Sequence, residues 1–323
     1  LVHERRIGLR NSFLSRYRSH SSTCEIFFRF GHKFKGRQAP AKEYHEMSTL
    51  RVRAGARFSL SSGIETPAVF IIRPENNATN RIVEERWTAT PHRAHHDYTD
   101  IYGNSCRRLM IPGGETFVVD YDVLVDTVDE LDPYEPTAQE IPIEAVPDDA
   151  LVFTLPSRYC LSDMLSSTAA DLFGSMEPGW NRVQAICDYV HNHIRFQYGS
   201  SSPWTTSLDV YHSGVGVCRD FAHLAIAFCR ALNIPARYAF GYMPDIDIPN
   251  PVLPMDFCAW FEVYLGGKWW IFDARNNQRR KARLTIARGR DALDVAMLTT
   301  YGGTYLNEMI VIADPAEDDA LAR

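Results

Sequence analysis

The sequence has no CxxC pair, no apolar run near the roughly 20 residues of a membrane-spanning helix, and no strong excess of either charge. Seven cysteines, Cys24, Cys106, Cys160, Cys187, Cys218, Cys229 and Cys258, are scattered and odd in number. This argues against a disulfide framework and against a zinc ribbon, and it points to a reducing, cytoplasmic setting. A net charge of −6 and a pI near 6.0 offer nothing to attract nucleic acid, and no segment calls for a membrane. No internal repeat is present. What remains is a chain of 323 residues, 45% hydrophobic, long enough for one large or two modest domains with a real core.

Residues 1–46 are basic and serine-rich, with Arg5, Arg6, Arg10, Arg16 and Arg18 but no hydrophobic signal core behind them. An organelle transit peptide would share that bias. A spurious extension ahead of a start at Met47 is the simpler expectation, and the segment is expected to be poorly ordered. Residues 47–128 predict a small antiparallel β domain. Runs such as "AVFIIRP", "IVEERWTAT" and "CRRLMIP" are separated by the turn signals "PENNATN", "YGNS" and "PGGE". In "TFVVDYDVLVD", Val119, Tyr121, Val123 and Val125 alternate with more polar neighbours, as in a strand with one wet face. Residues 129–157, rich in proline and acid, predict an extended linker crossing the surface. A core of mixed helices and strands is expected over 158–313, then a loose tail over 314–323. Helices are predicted at "LSDMLSSTAADLFG", at "EPGWNRVQAICDYVHNHIRF" with Pro178 in its first turn, and at "CRDFAHLAIAFCRALN". "ARYAFGYMP", "FCAWFEVYL" and "KWWIFDA" predict strands, and the stretch after Arg283 predicts strand, short helix, strand.

Cys218 heads the third helix, after the turn "SGVGV". A helix N-terminus carries partial positive charge, which favours thiolate, and its free N–H groups can hold an oxyanion. These are the needs of a cysteine nucleophile attacking an amide or ester carbonyl, although a small residue starting a core helix would look the same. The hairpin beyond it adds a second element. Gly266-Gly267 makes a two-residue turn that sets Leu265 opposite Lys268, Trp260 opposite Asp273 and Cys258 opposite Arg275. Side chains alternate by twos, so Cys258, Trp260 and Asp273 share one face, with Cys258 and Asp273 diagonal neighbours.

"GVCRDFAHLAIAFCRALNIPARYAFGYMPD" and "DFCAWFEVYLGGKWWIFDAR" closely resemble the core of the bacterial transglutaminase-like family, and "YTDIYGNSCRRLMIPGGETFVVDYDVLVD" looks like its N-terminal β domain. The resemblance spans about residues 50–313. It implies an α+β architecture, an antiparallel β domain followed by a papain-like core. It also implies a catalytic triad of cysteine at a helix start, histidine on a strand and aspartate on the next strand. By motif, Cys218 takes the nucleophile's place and Asp273 that of the orienting acid. The histidine's place holds Cys258. The implied activity is thiol-dependent hydrolysis of a peptide or amide bond, or acyl transfer, on a peptide or protein amide substrate, with no cofactor.

The exchange at position 258 leaves that activity open. A general base contributes typically about 10²–10⁴-fold, and a thiol is a short and poor replacement for imidazole. Two further readings follow: an inactive peptide-binding module, or a redox or soft-metal thiol pair of Cys218 and Cys258, with Asp273 or a neighbour as a further metal ligand. His212 is the surrogate base to consider. His223 should point away from Cys218, while His191 and His193 are expected at the surface or between helices. His92, His95 and His96, with Asp97 and Asp100, have the look of a metal cluster but read better as a solvated loop. Trp204 could line a cleft or pack beneath a loop. Asp220 is expected to compensate the helix dipole, Asp256 to sit in a turn, Glu262 at a rim, and Arg219 and Arg275 to pair with nearby acids.

Overall fold

The computed structural model describes residues 48–249 and 254–316. The expectation for residues 1–46 lies outside them, as does that for the last residues of the tail. Six strands come first: β1 (Thr49–Ser62), β2 (Thr66–Phe70), β3 (Asn80–Thr90), β4 (His95–Thr99), β5 (Ser105–Ile111) and β6 (Thr116–Val128). Alternation drives the long ones. β1 buries Val52, Ala54, Ala56, Phe58 and Leu60, and β6 buries Phe117, Val119, Tyr121, Val123 and Val125. The intervening residues face outward, where Arg51, Arg53 and Arg57 pair across the strands with Asp126, Asp122 and Asp120. Of these, the Arg57–Asp120 pair is exposed and adds little stability, whereas Asp122 and its neighbour Leu124 are buried, so that face of β6 is only partly wet. His95, His96 and Asp97, expected in a loop, lie on β4, which pairs with β5 and sets Asp97 against Arg107.

Next come the short helix α1 (Asp148–Leu151), α2 (Ser166–Phe173), α3 (Trp180–His193), β7 (Arg195–Phe196), α4 (Ser207–Ser213), β8 (Val215–Gly216) and α5 (Cys218–Ala231). Pro178 lies just before the Gly179 cap of α3 rather than in its first turn. Residues 129–157 do more than cross the surface. Asp132, Ala138, Val146, Ala150 and Phe153 are buried, and Phe153 meets Trp269 edge to face. α5 buries Phe221, Leu224, Ala225 and Phe228 on one stripe. It stops where Asn233 takes a left-handed conformation two residues before Pro235.

β9 (Ala236–Tyr242), β10 (Cys258–Leu265), β11 (Lys268–Phe272) and β12 (Leu284–Gly289) form an antiparallel sheet in the order β11-β10-β9-β12, with α5 packed on β9 and β10. The short helix expected after β12 is a set of turns. Asp291 accepts from the Leu293 and Tyr159 N–H groups and Asp294 from that of Arg290, so side chains take donors that a helix would need.

The final strands, β13 (Leu298–Thr300) and β14 (Thr304–Pro315), pair with the first strands of the chain and not with the β11-β10-β9-β12 sheet. β14 pairs with β1 and β13 with β2, giving two sheets, β14-β1-β6-β3 and β13-β2-β5-β4. Residues 298–313, expected with the core, thus include two strands of the first two sheets. Residues 314 and 315, assigned to a loose tail, lie in a strand. Phe58 and Phe70 join the two sheets edge to face, and the Tyr242 hydroxyl donates to the Ile72 carbonyl at 2.9 Å, tying them to the core. One hydrophobic core runs through the described residues.

A chain ended at residue 297 should lose both β13 and β14 and expose the edge of β1. Circular dichroism is expected to show loss of cooperative melting, whereas a late tail would be removable without effect.

Candidate active site

Gly214 closes α4 in a left-handed turn, and the chain passes through Gly216 into α5. A side chain at 216 would meet the Asp220 Cβ at 2.8 Å, so the approach to the helix needs glycine. Asp220, fully buried at the third helical position, accepts from the Val217 N–H at 2.7 Å and from the Ser201 hydroxyl at 3.0 Å. These bonds fix the first turn and with it Cys218.

The Cys218 Sγ lies 3.9 Å from the Phe257 carbonyl oxygen, and the Ala259 N–H also bears on it. It therefore rests beside the backbone on either side of Cys258. The hairpin register is the expected one from Leu265 opposite Lys268 to Phe261 opposite Phe272, but β11 ends there and the chain turns at Asp273, so the expected pairings of Trp260 with Asp273 and Cys258 with Arg275 are not formed. Cys258 and Trp260 share a face and a small apolar cluster. Asp273 lies under that face: Arg283 bonds Asp273 while its guanidinium sits 5.0 Å from the Trp260 ring centre. Arg275, in the turn that follows β11, donates through Nη1 to the Cys258 Sγ at 3.4 Å and stacks over Phe196 at 4.5 Å.

Cys218, Cys258 and Arg275 line one cleft of about 460 Å³. Met243, Met255, Met297, Met309 and Phe240 form its apolar wall, and Asp245, Asp256 and Arg280 add polar groups. No histidine is among the described lining residues. His212 is exposed on the last turn of α4. His223 is buried between Tyr159 and Tyr238 and accepts from the Ala292 N–H; burial pushes its pKa down to about 3, so it stays neutral. His193 bonds the Tyr211 carbonyl. His191 bonds the carbonyls of Ala274 and Arg275, which anchors the segment carrying Arg275. Trp204 neither lines the cleft nor packs beneath a loop: it is 74% exposed.

Asp273 is 5% exposed and its oxygens are fully engaged. One accepts from the N–H groups of Arg275 and Asn276, the other from the Asn276 amide and from Arg283. Burial works against its charge, but Arg283 and these donors outweigh it and hold the carboxyl below its ordinary range. Those oxygens are not free to serve as a further metal ligand, and the described residues hold no group of three metal-ligating side chains. Arg283 also reaches Asp132 at 2.8 Å, so the supposed linker supplies the second acid of a buried Asp132–Arg283–Asp273 set.

The two thiols are both free. Burial raises the Cys218 pKa, opposed by Arg275 and the Ala259 N–H. Burial and the neighbouring Cys218 push Cys258 up to about 12, again against Arg275. Asp256 is displaced upward by burial, opposed by the Phe257 N–H and Arg275, and it bears on Cys218. It is thus a cleft group and not only a turn residue. Glu262, expected at a rim, is buried and bonded to Arg237 and Arg288. Arg219 does meet an acid, Asp220, at 3.9 Å, and also bonds Ser201 and Ser202. Arg275 meets none within ion-pairing distance among the described residues.

Comparison with known proteins adds the kinship. Residues 166–274 match the model of the transglutaminase-like superfamily. A solved structure of a candidate cysteine protease from Cytophaga hutchinsonii is 32% identical, with a TM-score of 0.76, covering 85% of this chain and 93% of that one. An uncharacterized protein of Mycobacterium leprae is 24% identical over 253 residues, 75% of this chain and 89% of the relative. One from Mycobacterium tuberculosis is 27% identical over 277 residues, 77% and 87% respectively.

Two measurements check these electrostatics. Asp273 has a lowered folded pKa, so its contribution is full above its ordinary value of 3.8 and is lost as pH falls through the lower folded value. The stability gap between the parent and Asp273→Asn should therefore be wide at neutral pH and shrink in acid below that value. At pH 8, timed alkylation with iodoacetamide and peptide mapping should find Cys258 about a thousandfold slower than a free cysteine, in line with a thiol titrating near 12.

Proposed function

Because this chain belongs to the transglutaminase-like superfamily, we propose that its Cys218 cleft holds a peptide or protein segment with an amide beside the thiol and does not turn it over efficiently. The observation carrying this reading is the pairing of Cys258 with Arg275 where the superfamily pattern puts an imidazole. A guanidinium keeps its protons, and a thiol titrating near 12 keeps its own, so neither relays a proton from Cys218 to a leaving amine at neutral pH. The scaffold for recognition persists: a helix-start thiol, an apolar wall and a rigid hairpin. Peptide clefts of this size suit one or two side chains and a stretch of backbone.

A second reading, slow amide cleavage, is favoured by Asp256 alone. Burial moves this carboxyl toward neutrality, and it bears on Cys218. It would accept the thiol proton in the imidazole's stead.

The test is hydrolysis of fluorescein-labelled casein. The parent should be near background, and Cys258→His should raise the rate by about 10²-fold or more, with Cys218→Ala in that background abolishing the gain. A parent as fast as Cys258→His would overturn the non-catalytic reading. Loss of that parental rate in Asp256→Asn would establish the second one.

A further inference from the structure

Arg275 is the unusual group in this cleft. Arg280, also on the wall, is matched to Asp245 at 3.0 Å, and Arg219 lies by Asp220. Arg275 is half-buried, and no carboxylate among the described residues lies within ion-pairing distance of it. Among the described residues the Cys258 thiol is the one side chain that accepts a hydrogen bond from this guanidinium, which leaves its other donors for solvent or a ligand. The guanidinium has five N–H donors in a planar fork, and a single thiol occupies one end.

Its position is nevertheless fixed. The Arg275 N–H donates to Asp273, its carbonyl meets the His191 ring at 3.0 Å, and its guanidinium stacks on Phe196. Those contacts reduce the entropy a ligand would lose in ordering the arginine. The apolar wall of Met243, Met255, Met297 and Met309 lines the same cavity as the arginine and the Cys218 sulfur. Unbranched, polarizable methionines adapt to varied apolar side chains, so this wall sets a class of side chain and not one residue.

We propose that Arg275 makes the cleft selective for ligands that present a free carboxylate together with an apolar side chain. The carboxylate would come from a peptide C-terminus or from an acidic side chain. A carboxylate matches the guanidinium fork in two parallel hydrogen bonds, a geometry that a lysine or a neutral amide does not reproduce. Asp256 is the one acid of the cleft that faces Arg275 without another cation, and it opposes a second negative charge there. The inference rests on the peptide-binding reading above and specifies its ligand.

Fluorescence polarization on the full chain tests it with three labelled probes: a tetrapeptide ending in leucine as the free acid, the same peptide amidated, and the amidated peptide with glutamate before the leucine. The free acid, the glutamate probe, or both should bind at least tenfold tighter than the neutral amide, and the pattern identifies the source of the carboxylate. Arg275→Gln should erase that preference, so that all three probes bind alike. Arg275→Lys should retain only part of it, and Asp256→Asn should enlarge it. Raised salt should shrink it in the parent. If all three probes bind equally, or if Arg275→Gln keeps the preference, carboxylate selection is overturned and the peptide cleft stands. If no probe binds the parent, both fail together.

Discussion

A single buried guanidinium holds the two halves of the site in register. Arg283 lies between Asp132, from the segment that follows the first β layer, and Asp273, from the hairpin. All three side chains are nearly sealed from solvent. Charges taken from water at that depth cost several kcal/mol each, and removing one partner typically costs about 3–5 kcal/mol because the others stay buried and uncompensated. The set is therefore weak as a source of net stability and strong as a constraint on geometry. It sets the height of Asp273, which receives the N–H of Arg275, which reaches Cys258. Through that chain, a segment far upstream fixes the polar wall beside Cys218.

The cleft carries a fixed positive charge beside two thiols. In a cysteine–imidazole pair, one group both stabilises the thiolate and carries the proton away. Here Arg275 supplies permanent positive charge beside the two thiols, and burial raises the Asp256 carboxyl above its ordinary range. Burial and Arg275 pull the Cys218 thiol in opposite directions, with burial ahead, so the helix-start sulfur rests as a thiol.

Much of this was legible in the sequence where local patterns decide. The Gly266-Gly267 turn set the hairpin register as far as Phe261 and Phe272; beyond it the chain turns, and Arg275 reaches Cys258 through its side chain and not by strand pairing. The apolar stripe of α5 and the glycine turn before it placed Cys218 at a helix start. Other elements escaped for identifiable reasons. α4 is marked by a capping box, Thr206 with Asp209, more than by an apolar period. β4 is polar on both faces and exists through its pairing with β5. Asp132 and Arg283 are separated by 151 residues, beyond any local rule, and a proline-rich acidic stretch gives no hint that one of its acids will be buried. Arg275 was seen facing Cys258, but that it would have no acid within reach depends on the packing of every neighbour.

The return of the last strand to the first has a consequence for biogenesis. Ala56 of β1 pairs with Val311 of β14, and Val52 with Pro315. Until those late residues leave the ribosome, one long edge of β1 has no partner, while the helices and hairpin of the core are already made. The usual order, in which the N-terminal part of a chain folds first during synthesis, is blocked here for the outer sheets. Paired with β6 on one side only, β1 presents an open edge through much of translation, a surface on which another strand could pair.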